Sequence, residues 1–294
     1  MRNFFLLLLV ATVSVLIFSE VLVRTYWVGE GVETYRKRLQ TFREQVAVFG
    51  DSRVANGVVN SGLVANFGVA GDNLEGILDK VIFFQERYPG AKIVVQIDPH
   101  QFSAYRLNGP IIFDVNNAQD RSSFLMISDE RVRAYLFPFV TRCITSFISM
   151  GALCSRERRV VHQEITVKDA SERFELREVA VRFAQQKPLR PEVVQLELAQ
   201  VAKKLNTLVN ADNICFATFP VSASYREVAE GWSSYRGSRE AIARWAAEFR
   251  FRYVNAENLY ATDRPVFSDP DHLSISSQAS FSDFLIESCF GAEN

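Results

Sequence analysis

A serine hydroxyl attacks a carbonyl only when a base takes its proton. That base is usually a histidine, which a carboxylate holds in the useful tautomer. This chain of 294 residues has three histidines, His100, His162 and His272. Ser52 stands in VAVFGDSRVANG (46–57), where an apolar run ends in Gly-Asp-Ser and a more helical pattern begins. His272 stands in VFSDPDHLSISS, with Asp269 three residues before it and Pro270 stiffening the stretch between. A turn there brings Asp269 back onto the imidazole, and the adjacent Asp271 is expected to point elsewhere. The same residues also suit plain turns, which favour Gly, Asp and Ser for backbone reasons, with a surface histidine at a helix start.

Elements must carry these residues to one place. Short apolar or β-branched runs bounded by Gly, Pro, Asn or Asp read as strands at 46–51, 64–71, 92–99, 214–221 and 251–258. Helical periodicity fills the gaps. Leu74, Ile77, Leu78, Val81 and Ile82 share a face that Pro89-Gly90 terminates. Residues 191–209 and 238–249 repeat the pattern. The last helix, 276–289, aligns Phe281, Phe284, Leu285 and Cys289. Alternating strands and helices predict an α/β fold with a mainly parallel five-stranded sheet covered on both faces, a flavodoxin-like three-layer sandwich. Ligands in such sheets sit beyond the carboxyl ends of the strands, where the Ser52 turn also falls. Residues from about 100 to 190 interrupt the alternation and read as a mostly helical insert.

Three segments together resemble the SGNH, or GDSL-type, hydrolase superfamily: FGDSRVANG near the domain start, NFGVAGDN after the second strand and SDPDHLS near the carboxyl end. They match its first, second and fifth sequence blocks in order, over residues 46 to about 290. The resemblance implies Ser52 as nucleophile, His272 as general base and Asp269 as its orienter. It implies an oxyanion hole of the Ser52 N–H and the second-block glycine, Gly71 before Gly68. Glycine suits that place because backbone must approach the carbonyl closely. The third block departs from the family, whose Gly-x-Asn-Asp places an asparagine amide on the oxyanion. Here the chain reads VVQIDPHQF, and an ionised Asp98 would repel the developing charge. His100 and Gln101 are the candidate substitute donors. Arg53 could meet an anionic substrate group, though a helix-start surface position is the plainer reading.

The rest of the chain bounds the setting. Lysines and arginines number 33 against 34 acidic residues, which gives no basic signature for nucleic acid. After a tail of residues 1–3, FFLLLLVATVSVLIFSEVLV (4–23) carries a single charge in twenty residues. As a helix it would span about 30 Å, one bilayer core. No small-x-small cleavage site follows it, which favours an uncleaved anchor held by membrane lipid over a signal peptide. Residues 24–45 read as a helical stalk before the domain at 46–294. Basic residues after the span would, counted literally, keep that domain in the cytoplasm. Cys143 and Cys154 are close enough to bridge in an oxidising compartment, and Cys215 reads as a core thiol.

Anchored SGNH-like proteins with an altered third block resemble components of bacterial envelope glycan modification. That resemblance implies an inner-membrane protein with a periplasmic domain, against the charge count. It implies a serine esterase or O-acyltransferase acting on an ester or acylated glycan. No metal or organic cofactor is required, and a membrane acyltransferase is a candidate partner. The other reading is a non-catalytic component that uses the cleft to bind glycan or a membrane partner. GVAGDNLEG lacks the lysine and spacing of a phosphate loop, so a flavin or nucleotide binder has little support.

Overall fold

The computed structural model describes residues 13, 14, 17, 30–109, 173–206 and 211–291. The chain divides into two compact units, residues 36–116 with 170–294, and residues 1–35 with 117–169. Of the second unit only residues 13, 14, 17 and 30–35 are described, and all are helical, residues 30–35 being the first part of α1 (Glu30–Gln40). Most of the expected span at 4–23, the greater part of the insert, His162, Cys143 and Cys154 lie outside the described residues. Among the described residues, no helix is long and apolar enough to cross a membrane.

The larger unit is α/β. Its parallel sheet contains β1 (Val46–Phe49), β2 (Val64–Asn66), β3 (Lys92–Gln96), β4 (Ile214–Thr218) and β5 (Arg252–Asn255) in the order β2-β1-β3-β4-β5. β1 and β4 are buried along their whole length, as expected of central strands covered on both faces. β5 begins and ends in exposed polar residues, which suits an edge. Successive side chains point to opposite faces. Val48, Val94 and Cys215 share one core with Phe281 and Leu285 of the last helix, α9 (Ile275–Phe290). On the opposite face, Phe49 meets Phe84 of α3 (Leu74–Arg87) at 5.3 Å between ring centroids. There too Phe216 meets Trp245 of α8 (Ser233–Glu248) at 5.0 Å.

Cys215 is buried in β4 as expected, but it is not a free thiol. Its side chain faces α9, whose last turn carries Cys289 to a Cα–Cα distance of 5.7 Å, and the two form a disulfide. The bridge fixes α9 to the sheet, and α9 begins just after His272. The expected strand ends were also too long. Each strand stops two to five residues early, because the chain turns to build the loops at the carboxyl edge.

The remaining elements serve those loops. α2 (Ser52–Gly57) follows β1 directly. A 3-10 turn at Pro99–Phe102 and α4 (Ala104–Leu107) follow β3. α5 (Leu176–Gln186) and α6 (Pro191–Leu205) precede β4, and α7 (Ala223–Glu230) follows it. After β5 comes a small antiparallel hairpin, β6 (Phe267–Asp269) and β7 (His272–Leu273), in which Asp269 pairs with His272.

Candidate active site

The Ser52 turn is shaped by a buried glutamine. A Cβ on Gly50 would come within 2.2 Å of Gln96 Oε1 and of Val54, so the position admits only glycine. The space that Gly50 leaves lets Gln96 Oε1 accept the Asp51 N–H at 2.8 Å. Asp51 then caps α2 by accepting the Arg53 N–H at 2.9 Å. Ser52 becomes the first residue of that helix, with its N–H given to no described residue and its side chain half-buried.

His272 is held by the hairpin. Asp269 Oδ1 accepts the backbone N–H of His272 at 2.9 Å and that of Asp271 at 3.1 Å, which closes the turn over Pro270. The same carboxylate lies 2.8 and 2.9 Å from His272 Nδ1. His272 Nε2 lies 2.9 Å from Ser52 Oγ. The structure therefore brings Ser52, His272 and Asp269 into one hydrogen-bonded line, with 220 residues between the serine and the histidine. Burial presses the imidazole pKa down. The hydrogen bond to Asp269 and the charges of Asp271 and Asp269 outweigh that, against Arg182, and leave it above its ordinary value.

Gly71 follows a chain that runs beside the Ser52 turn. Beyond β2 the parallel pairing continues, with the Phe67 N–H on Val48 O at 2.8 Å and the Val69 N–H on Gly50 O at 2.9 Å. Two residues later Gly71 sits in the turn that the Asp72 N–H closes onto Val69 O at 3.1 Å, at φ +88°, a left-handed conformation that suits glycine. Its N–H goes to no described residue. Gly68 donates its own N–H to Asn66 Oδ1 at 2.8 Å, so that donor is already used. Asp72 fixes the far side of the loop by a buried ion pair with Lys80.

The third-block side chains are engaged with buried partners. His100 and Gln101 are buried, and neither hydrogen-bonds Ser52. His100 Nε2 lies 2.6 Å from Asp51 Oδ2, and Gln101 Oε1 accepts the Asp98 N–H at 3.1 Å. The concern that Asp98 would face the oxyanion does not match its position. Asp98 is fully buried and accepts from the Phe219 N–H at 2.7 Å, Gln96 Nε2 at 2.5 Å and Arg53 Nη1 at 3.3 Å. The surface reading of Arg53 also fails. Its guanidinium is enclosed because it bridges Asp98 at 3.3 Å and Asp271 at 3.4 Å over the Tyr225 ring.

Asp271, expected to point elsewhere, has its Oδ1 3.7 Å from Nδ1, beyond hydrogen-bond reach but within ion-pair distance. It accepts from Arg182 Nε at 2.7 Å and from Gln186 Nε2 at 2.8 Å. Burial alone would raise its pKa, yet His272, Arg53 and Arg182 hold it well below the usual carboxylate range. Asp51 is held low in the same way, against burial, by His100, Arg106 and Arg53. Sequence reasoning missed Arg182, Gln186 and Gln96. Gln96 left a signal, a polar residue inside a buried apolar strand. Arg182 and Gln186 left none, because they reach the site from a helix with no motif of its own.

Asp269, Asp271 and His272 also offer ligand atoms within 4.8 Å of one another. Arg182 donates into that cluster from Nε and Nη2. A second cation there would meet a guanidinium, so the donor set fits an organic cation already in place better than a metal. Compared with models of known protein families and with curated proteins, the chain matches none.

Proposed function

We propose that the chain is an SGNH-type serine esterase or O-acyltransferase with a flavodoxin-like three-layer domain, held outside the inner membrane by the apolar helix at 4–23. The observation that carries the reading is the line Ser52 Oγ···Nε2 His272 Nδ1···Oδ2 Asp269, at 2.9 and 2.8 Å. Ser52 Oγ attacks the ester carbonyl while its proton passes to Nε2. The Ser52 and Gly71 N–H groups receive the carbonyl oxygen as it becomes an oxyanion. His272 then gives the proton to the departing alcohol, which leaves an acyl-serine. Water or a sugar hydroxyl, deprotonated by the same Nε2, discharges it.

Charge in the cluster favours the imidazolium step. Asp51, Asp98, Asp269 and Asp271 face Arg53, Arg106 and Arg182, one carboxylate in excess when both histidines are neutral. Protonating His272 balances that excess. The buried Cys215–Cys289 disulfide supports an oxidising compartment and hence an extracytoplasmic domain. The substrate class, an ester or acylated envelope glycan, and a membrane acyltransferase partner follow from the resemblance.

Ser52→Ala tests the reading. With a short-chain aryl ester, turnover is expected to fall by about 10³-fold or more, with loss of serine-probe labelling. Unchanged turnover would remove the esterase reading. The missing third-block asparagine supports a second reading, a non-catalytic component that binds glycan or a membrane partner. That reading expects wild type to turn over no ester and Ser52→Ala to leave envelope modification intact.

A further inference from the structure

In a serine triad the imidazole Nδ1 usually faces acceptors, and those acceptors fix the tautomer. Here Nδ1 of His272 faces both kinds of group. Asp269 Oδ2 lies at 2.8 Å and Asp271 Oδ1 at 3.7 Å, but Arg182 Nη2 lies at 3.0 Å. A guanidinium only donates. If Nδ1 carries the proton, it donates to Asp269 and leaves Nε2 to accept from Ser52. If Nδ1 is bare, it accepts from Arg182, and Nε2–H points at Ser52 Oγ and cannot take its proton. Asp269 and Arg182 therefore favour opposite tautomers of one ring.

The same arginine is restrained. Its Nε donates to Asp271 Oδ1 at 2.7 Å and its Nη2 to Asp269 Oδ2 at 3.1 Å. Asp271 is itself fixed by Gln186 at 2.8 Å and by Arg53 at 3.4 Å. Since Arg53 follows the nucleophile, the ion pairs run from the base hairpin through Asp271 to the start of α2. These groups from the hairpin, α5 and α2 are the charges that face His272 among the described residues.

We infer that Arg182, seated by Asp271, is a positioning residue that sets the protonation of His272 and the orientation of Asp269. The inference rests on His272 being the base. Arg182 opposes the imidazolium and keeps the ring neutral closer to neutral pH, while Asp271 anchors the guanidinium through Nε and its own charge favours the imidazolium. Charge within this distance commonly moves a pKa by about 1–3 units. Removing either partner should therefore move His272, and in opposite directions.

The test uses the full-length chain labelled with ¹⁵N-histidine, which gives three imidazoles to follow. His272→Ala identifies the relevant signals. Arg182→Met is expected to raise the His272 titration midpoint by about one pH unit, Arg182→Lys by less, and Asp271→Asn to lower it by a similar amount. The other two imidazoles report whether the fold is kept. If all three midpoints stay at the wild-type value in folded protein, or Asp271→Asn raises it, the inference is overturned. If Arg182→Met does not fold, Arg182→Lys and Asp271→Asn decide alone by the same signs. An aryl-ester assay beside the titration separates the two readings. Shifts without turnover in wild type keep the positioning role and remove the esterase, whereas turnover without shifts does the reverse.

Discussion

Two histidines of this protein touch aspartates at hydrogen-bond distance, and they do opposite things. His272 meets Asp269 through Nδ1 at 2.8 Å and keeps Nε2 for a serine hydroxyl at the surface of the carboxyl edge. His100 meets Asp51 through Nε2 at 2.6 Å and is enclosed, with Nδ1 facing no hydrogen-bond partner. Burial and Arg53 push the pKa of His100 down, against Asp51, while that of His272 stands above its ordinary value. A histidine–carboxylate contact thus carries no chemistry by itself. What differs is the second nitrogen. On His272 it reaches the half-buried hydroxyl of Ser52, the nucleophile of the proposed esterase, and on His100 it lies enclosed, 3.6 Å from Asp98 Oδ2. The inner pair fixes the turn on which the outer pair depends, since Asp51 caps the helix that presents Ser52.

The comparison is broken most severely by removing each ring. His272→Ala should lower kcat by about 10³-fold or more and leave thermal unfolding close to wild type. His100→Ala should lower stability by about 2–4 kcal/mol, because a buried carboxylate loses one of its partners, keeping Arg106, and a cavity opens. The protein that stays folded should keep kcat within about tenfold, because the lost contact orients rather than reacts. Denaturant melts and ester kinetics on both variants check this. Reversed effects would mean the inner histidine is the base.

Asp98→Asn probes the inner region alone and should act on stability only. The new amide would face the Gln96 and Arg53 donors that the carboxylate now accepts. Gln96 cannot turn over without releasing the Asp51 N–H from its oxygen. A cost of about 3 kcal/mol in the denaturant midpoint is expected. Although the substitution supplies the asparagine of the SGNH third block, the superfamily the proposal invokes, it should not raise turnover, because the side chain is enclosed. A rise in kcat would show that position 98 reaches the oxyanion.

The same contrast explains what could be read from the sequence. Strand positions, α/β class and the helices at α3, α6, α8 and α9 follow from periodicity and from turn residues, which act over a few positions. The Ser52, Gly71 and Asp269–His272 segments were legible for a related reason. Each is a tight turn at a strand end, where backbone demands write themselves into residue type. The inner network was not legible. Arg53 read as surface because its partners, Asp98 and Asp271, lie 45 and 218 residues away. Arg182 could not be placed because nothing local requires an arginine in α5. The disulfide was missed for the same cause. Cys215 looks apolar in β4, and only the packing of α9 supplies Cys289 across a separation of 74 residues.

Acid should separate the two histidines in order. His272 must be neutral to accept the Ser52 proton, and its folded pKa is raised above the reference of about 6.5. kcat/KM should therefore fall tenfold per pH unit below a midpoint that lies above about 6.5. The fold responds differently. A raised histidine adds stability that is full below about 6.5 and lost as pH climbs through its folded pKa, so His272 does not weaken the protein in acid. His100 has a lowered folded pKa, so its contribution is present above about 6.5 and declines as pH falls below that value. Asp51 and Asp271, also lowered, keep theirs until pH drops below about 4. A pH series of ester kinetics beside denaturant melts should thus find activity falling first, then a modest loss of stability, then acid unfolding. If stability falls before activity on acidification, the inner histidine, not the outer one, sets the acid limb.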